Sequence, residues 1–258
     1  VQNPWYPIAE PSDAPANDGM PDASRDLTSE LVKLVQAMQE IKSEEDSRVN
    51  SYEIFVNQKQ THIRNSRGVD VTFSGFDCEI EVVTNSRKDD HEIEIYRDLR
   101  FSDKSAEKII AEVRGMFHTG RQRLNAVPTR QNEHADVLLS GDAVGSFFQY
   151  FAMHTNASYQ YMGVAKAKIG ESITGADADP LNIRLVPTLD GSAKNAPYDE
   201  TGMPVAERVL FENGICRSYW GSLQHAHYIG MKDTTSMNNM VVEGGSKTLD
   251  ELRSMPHI

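Results

Sequence analysis

Only two cysteines, Cys78 and Cys216, occur in the 258 residues. That is too few for the disulfide framework that holds small secreted domains together, so both are expected as reduced thiols. No apolar run approaches the roughly 18 residues that a membrane-crossing helix needs. The opening stretch Val1-Gln-Asn-Pro-Trp-Tyr-Pro7 has neither a basic n-region nor an apolar core; nothing in it directs secretion, and the cytoplasm is the expected location. Positive charge is also short, with 26 Lys and Arg against 38 Asp and Glu and a net charge of −12. Binding nucleic acid through phosphates needs clustered cations, so a nucleic-acid partner is not expected, and neither is a membrane. The acidic side chains gather between Glu10 and Glu53 and read as a solvated face.

Several chemical signatures are missing as well. There is no Gly-x-Ser-x-Gly elbow, and neither cysteine has a neighbouring His and helix N-terminus to lower its pKa. Gly141-Asp-Ala-Val-Gly145 lacks the Lys and Ser/Thr of a phosphate loop, and Val241-Val-Glu-Gly-Gly-Ser-Lys247 has the wrong glycine spacing. No helix offers two His one turn apart with a Glu to act as base. His91-Glu92 opens an alternating strand, His134 precedes strand-forming residues, and His154 stands alone. Catalytic residues are therefore expected to be none. The remaining metal candidates are His225 and His227. On a strand they would share a face and could hold a cation with Glu207, Glu212 or Cys216; on a helix they would diverge by about 200°. The string Ser222-Leu-Gln-His-Ala-His-Tyr-Ile-Gly230 reads as a helical turn closed by glycine, which disfavours the metal.

What is present is α+β patterning. Residues 1–24, rich in Pro, Asp and Ala, read as a linker or extended arm entered midway. Residues 25–128 read as an α+β domain. Asp26 caps a helix with a stripe at Leu27, Leu31, Leu34, Met38 and Ile41. Period-two runs then follow at Tyr52–Val56, at Thr61 and Ile63 beyond a polar turn, at Val69–Phe73, at Cys78–Val82, and at Ile93 and Ile95, forming an antiparallel sheet wet on one side. A second helix after Ser102 buries Ala106, Ile109, Ile110, Val113 and Phe117, with a basic exit through Arg121, Arg123 and Arg130 to a boundary near Pro128. Residues 129–258 read as a β-rich second domain with one buried helix: a short strand at Asp136–Leu139, then Ser140 capping a helix whose Val144, Phe147, Phe148 and Phe151 fall on one face. Ile183, Leu185 and Val186 form a strand, and Asp199 to Gly221 one hairpin turning at Asn213-Gly214, residue types that accept the positive φ of a type I′ turn.

The order of several strings carries a family resemblance. Asn65-Ser-Arg-Gly-Val-Asp70, Ser105-Ala-Glu-Lys108 before an apolar helix, Val127-Pro-Thr129, Asp136-Val-Leu-Leu139, Lys168-Ile-Gly-Glu-Ser-Ile173, Asp199 to Gly221, Asn238-Asn-Met-Val-Val-Glu-Gly-Gly245 and Thr248-Leu-Asp-Glu-Leu252 together resemble the TldD/PmbA family. TldD-type members are zinc proteases; PmbA-type members, also called TldE, lack the zinc-binding helix. In the TldD type the helix after the second-domain strand carries His-Glu and a second His, a triplet missing from Ser140 to His154. The resemblance thus implies a PmbA-like chain with no cofactor of its own, zinc belonging to a TldD-type partner. It would pair with such a subunit, or with itself as a homodimer, in proteolysis of extended or unfolded peptides. It also implies that the family's N-terminal sheet and last C-terminal strands lie outside these residues. The alternatives are a self-sufficient metalloprotease with an atypical metal site and a non-catalytic module that captures peptides by strand addition. Modulation of DNA gyrase, a name attached to the family, finds no support in the acidic balance.

Overall fold

The computed structural model describes residues 4–14, 24–128, 131, 136–175, 178–232 and 238–255. Part of the expected linker, the residues just after Pro128, Arg130, His134 and the last three positions lie outside them. Two antiparallel sheets, each with helices on its buried face, form an α+β fold.

The first sheet has the order β1-β2-β3 (Ser47–Arg64, Asp70–Lys88, His91–Phe101). The five period-two runs are three strands, because two expected breaks do not occur. The polar run Asn57–Gln60 stays in register with β2, from Asn57 opposite Asp77 to Gln60 opposite Ser74. Its side chains find partners across the ladder, Asn57 Nδ2 donating to Asp77 (3.0 Å) and Lys59 pairing with the same carboxylate. A polar run on an edge strand can stay extended because water serves its free side.

Helices α1 (Leu27–Gln39) and α2 (Ala106–Leu124) cover one face. Asp26 caps α1 by accepting from Thr28 N, and Ser105 caps α2 by accepting from Lys108 N. Leu34, Met38 and Ile41 of the first stripe are buried, whereas Leu27 and Leu31 remain partly exposed. From α2, Ile109, Val113, Met116 and Phe117 meet Phe76, Cys78, Ile80 and Val82 of β2. Gly120 permits the closest approach: a Cβ there would stand 2.2 Å from Ser86 Oγ, so a larger residue would push the helix off the strand.

The second sheet has the order β6-β5-β4-β7 (Ile215–Cys216, Arg208–Glu212, Ile183–Val186, Asn239–Val242), leaving β7 at an edge among the described residues. The turn between β5 and β6 has positive φ at both Asn213 (50°) and Gly214 (77°), as a type I′ hairpin requires. That hairpin is shorter than expected. Asp199 instead closes a turn of its own, its Oδ1 accepting from Thr201 N and Met203 N, and Gly202 of this turn rests against Val69, Val71 and Ile63 at the far end of the first sheet. With Ser102 N donating to Gly191 O (2.8 Å) and the rings of Phe73 and Tyr198 5.9 Å apart, this contact joins the two sheets.

Two further expectations are corrected. Asp136–Leu139 is not a strand, having no ladder partner among the described residues. Ser140 is not the cap of the next helix, which begins one residue later: α3 spans Asp142–His154 behind Gly141, whose φ of 58° suits glycine and which makes no side-chain cap bond. This helix is less buried than its sequence suggests. Only Phe148, Phe151 and Ala152 face the core, while Phe147 is half exposed. The helical turn expected from Ser222 to Gly230 is α5 (Leu223–Tyr228), with Gly230 just past it at a φ of 74°, while the short helices α4 (Ala157–Tyr161) and α6 (Leu249–Ser254) have no counterpart among the expected elements, α6 with a full capping box between Thr248 and Glu251. No helix among the described residues is long and apolar enough to cross a membrane.

This packing predicts a contrast in urea unfolding. Phe117→Ala, at a wholly buried site, should cost about 3–5 kcal/mol. Phe147→Ala, at a half-exposed site, should cost less than about 1 kcal/mol.

Candidate functional site

The aromatic side of α3 seats it on the second sheet. Phe151 stands edge-on to Phe211 of β5, with ring centroids 6.2 Å apart. Trp220 Nε1 donates to Ala152 O (2.8 Å), and Ala157 N donates to Trp220 O (2.7 Å), so the end of α3 and the start of α4 are tied to the segment following the hairpin. Asp142 in the first turn complements the positive end of the helix dipole.

With α3 held there, two clefts open where it meets β7. One, of about 370 Å³, lies between Gly145 and Gln149 of α3, Asn238, Asn239 and Met240 on the β7 side, and Leu189, Ser192 and Lys194 from the loop after β4. The other, of about 290 Å³, lies between Phe148 of α3, Val242 and Glu243, and the segments holding Asp179, Leu181 and Lys247. Met240 and Val242 are two apart on a strand, so they share its inner face and set one cleft after the other along the sheet edge. The result is a groove with an edge strand along one wall and a helix along the other.

Polar ties fix its borders. Ser192 Oγ donates to Asn239 Oδ1 (2.6 Å), while Asn239 Nδ2 donates to Val186 O (3.3 Å) and to Asn195 Oδ1 (3.0 Å), locking the loop after β4 to β7. Asp179 accepts from Ser246 N and Ser246 Oγ, both at 3.0 Å. These bonds, with Lys247 nearby, hold its carboxyl below the usual range. In contrast, Asn238 Nδ2 is buried and has no hydrogen-bond partner among the described residues.

The residues singled out from sequence do not gather in this groove. His225 and His227 lie on α5, where positions two apart diverge. His225 Nδ1 meets Ser222 Oγ (3.1 Å) and its ring faces Tyr161, whereas the ring of His227 stands edge-on to Trp5. Their suggested companions are engaged elsewhere: Glu207 pairs with Arg184 (3.2 Å) and Glu212 with Arg217 (2.9 Å). His154 closes α3, its Nδ1 accepting from Lys166 N (3.3 Å) and its ring 4.3 Å from that of Tyr150. Burial first, and Lys166 second, push its pKa down, so it is neutral near pH 7. Among the described residues no three His, Cys, Asp or Glu side chains stand close enough to share a metal ion. Gln149, Ser192, Lys194 and Asn238 were not singled out as site residues from the sequence; the only prior signal was the Asn238-Asn239 string within the family resemblance.

Residues 132–257 match the PmbA/TldA metallopeptidase C-terminal domain, and this part of the chain belongs to that family. No curated protein sequence matches the chain. Solved structures share its fold, three of them as follows. TldE from Thermococcus kodakarensis is 18% identical, with a TM-score of 0.72 over 98% of this chain. A candidate modulator of a DNA gyrase from Thermotoga maritima is 16% identical, with a TM-score of 0.70 over 98%. A candidate modulator of DNA gyrase from Bacteroides thetaiotaomicron is 16% identical, with a TM-score of 0.64 over 96%. The chain spans 60%, 60% and 56% of their respective lengths.

Both cysteines are free and buried, and burial raises each thiol from an ordinary 9.0 up to about 11. Neither should react with Ellman's reagent at pH 8 until the protein is unfolded, which a colorimetric titration with and without urea measures. Because the unfolded chain loses these protons first, the thiols' contribution to stability is intact below pH 9. It should be lost as pH rises through about 11, as urea melts across that window would record.

Proposed function

We propose, for a chain whose C-terminal half carries the PmbA/TldA metallopeptidase domain, that it acts as a PmbA/TldE-type subunit: it holds an extended peptide in the groove between β7 and α3 while a TldD-type partner supplies zinc and hydrolysis. The groove carries this reading. An edge strand has a row of backbone N–H and C=O groups with no ladder partner, and an extended peptide satisfies them as an added strand, independently of its sequence. β7 is four residues long, which at about 3.3 Å per residue gives a seat for a peptide stretch of about 13 Å. Its two clefts follow one another on one face, beside Met240 and Val242, the spacing at which every second side chain of a bound strand would fall.

The chemistry of α3 favours a wall over a catalytic centre. It brings Gly145, Phe148 and Gln149 to the groove, none of them a general base or a strong metal ligand. A cytoplasmic location belongs to this reading and is supported by two unpaired, buried thiols.

Gly145 offers the sharpest test, because a Cβ at that position meets nothing within 4 Å. Gly145→Leu should therefore fill the cleft without weakening the helix, and lower affinity for a fluorescein-labelled unstructured peptide by about ten-fold or more in an anisotropy titration. Hydrolysis should appear when a TldD-type subunit is added and be absent from the chain alone. Stoichiometric zinc in the purified chain, with chelator-sensitive cleavage of casein, would favour the self-sufficient metalloprotease instead.

A further inference from the structure

The extended stretch 4–11 belongs to neither sheet, being neither helix nor strand. Its prolines Pro4, Pro7 and Pro11 fix φ at about −65° and keep the residues before them extended, so the stretch is stiff. Its two ends are held differently. At the first sheet Ala9 is buried, with its carbonyl accepting from Asn65 Nδ2 (2.8 Å), and Glu10 pairs with Arg67 (3.2 Å). Residues 4–8 lie instead against α5, where Trp5 is 74% exposed and Tyr6 and Ile8 are exposed as well. An aromatic notch holds this tip. Tyr228 Oη donates to Pro4 O and itself accepts from Gln224 Nε2 (3.1 Å), which aims the hydroxyl at the carbonyl. The ring of Tyr6 stands edge-on to that of Tyr228, with centroids 6.1 Å apart, and the ring of Trp5 stands edge-on to that of His227 at 6.0 Å. Tyr161 of α4 supports the notch, its ring 4.9 Å from that of Tyr228.

An aromatic surface with a hydroxyl aimed at a backbone carbonyl suits a proline-rich ligand. Such a ligand arrives already extended, loses little entropy on docking, and carries carbonyls that no N–H of its own engages. A tip so exposed, beside an anchor that is buried and bonded, opens at lower cost than the anchor does. We propose that the face of α4 and α5 bearing Tyr161, Tyr228 and His227 is a docking notch for an extended proline-rich segment of a partner protein, one in which prolines flank aromatic residues. The chain's own Pro4-Trp-Tyr-Pro7 fills that notch as a tethered competitor. Anchored at Ala9, the tip has an effective concentration on the order of millimolar, so the partner must displace it to dock. The notch shares no residue with the groove between β7 and α3, and the proposal does not rest on the peptide-holding reading.

Trp5→Ser combined with Tyr6→Ser in the full chain frees the notch without shortening the protein. A peptide with the sequence of residues 3–8, Asn-Pro-Trp-Tyr-Pro-Ile, is titrated into the ¹⁵N-labelled chain while the backbone amide signals of α5 are followed, which reports on the notch and not on the groove. The peptide should bind the double variant about ten-fold or more tightly than the unsubstituted chain, where the tethered tip competes. Adding Tyr228→Phe to the double variant should weaken binding about three- to ten-fold through the lost hydroxyl. Equal affinity for the two chains, α5 signals that do not move, or indifference to Tyr228→Phe overturns the notch. Hydrogen–deuterium exchange tests whether residues 4–8 are instead part of the fold. Protection of α4 and α5 should persist in the double variant, and its collapse would overturn the proposal.

Discussion

The seat of α3 on the second sheet is the contact from which the rest of the site follows. Phe151 edge-on to Phe211 and the Trp220 indole bonded to Ala152 O hold the helix over β4 and β5, and the groove exists because this placement leaves β7 uncovered beside it. A buried aromatic pair contributes about 0.5–1.5 kcal/mol beyond the area it removes from water, so few other residues weigh as much in the helix's position. Were α3 to slide toward β7, Met240 and Val242 would be capped and the two clefts would close. Its outer face remains exposed at Val144, Phe147 and Tyr150, consistent with a helix held along one narrow stripe.

The two halves of the molecule are not independent of this arrangement. The loop after β4 contributes Leu189, Ser192 and Lys194 to the cleft, and the same loop is bonded through Gly191 to Ser102, at the end of the first sheet. The first sheet, with its helix-covered core of Leu34, Ile80, Val113 and Phe117, thus acts as a rigid support for one border of the groove. Asn239 completes the link by bonding that loop to β7, and it is among the few polar residues that are fully buried. A change at this asparagine would loosen border and edge strand together.

Local rules made much of the fold legible. Asn213-Gly214 announced its hairpin because two successive positive φ values are tolerated by few residue pairs; Asp26 announced α1, and the apolar period of 109–117 announced α2. Sequence failed where tertiary partners override local preference. The polar run at Asn57–Gln60 looks like a turn until β2 lies beside it, and Asp136–Leu139 looks like a strand but meets no partner among the described residues. Within the site, α3 was visible and its lack of the zinc triplet could be read directly. The groove itself was not, since α3 and β7 are some ninety positions apart and an edge strand is defined by sheet order rather than by composition. Asn238 likewise looks ordinary until its burial shows a donor unpaired among the described residues.

Hydrogen–deuterium exchange read residue by residue, with and without a saturating unstructured peptide, addresses the central claim most directly. Strand addition at the open edge requires slowed exchange at backbone amides of β7, at Asn239 through Val242, with smaller effects in α3. Protection appearing along β1 or β3 of the first sheet, with β7 unchanged, would contradict the account and move peptide binding to the other half of the molecule.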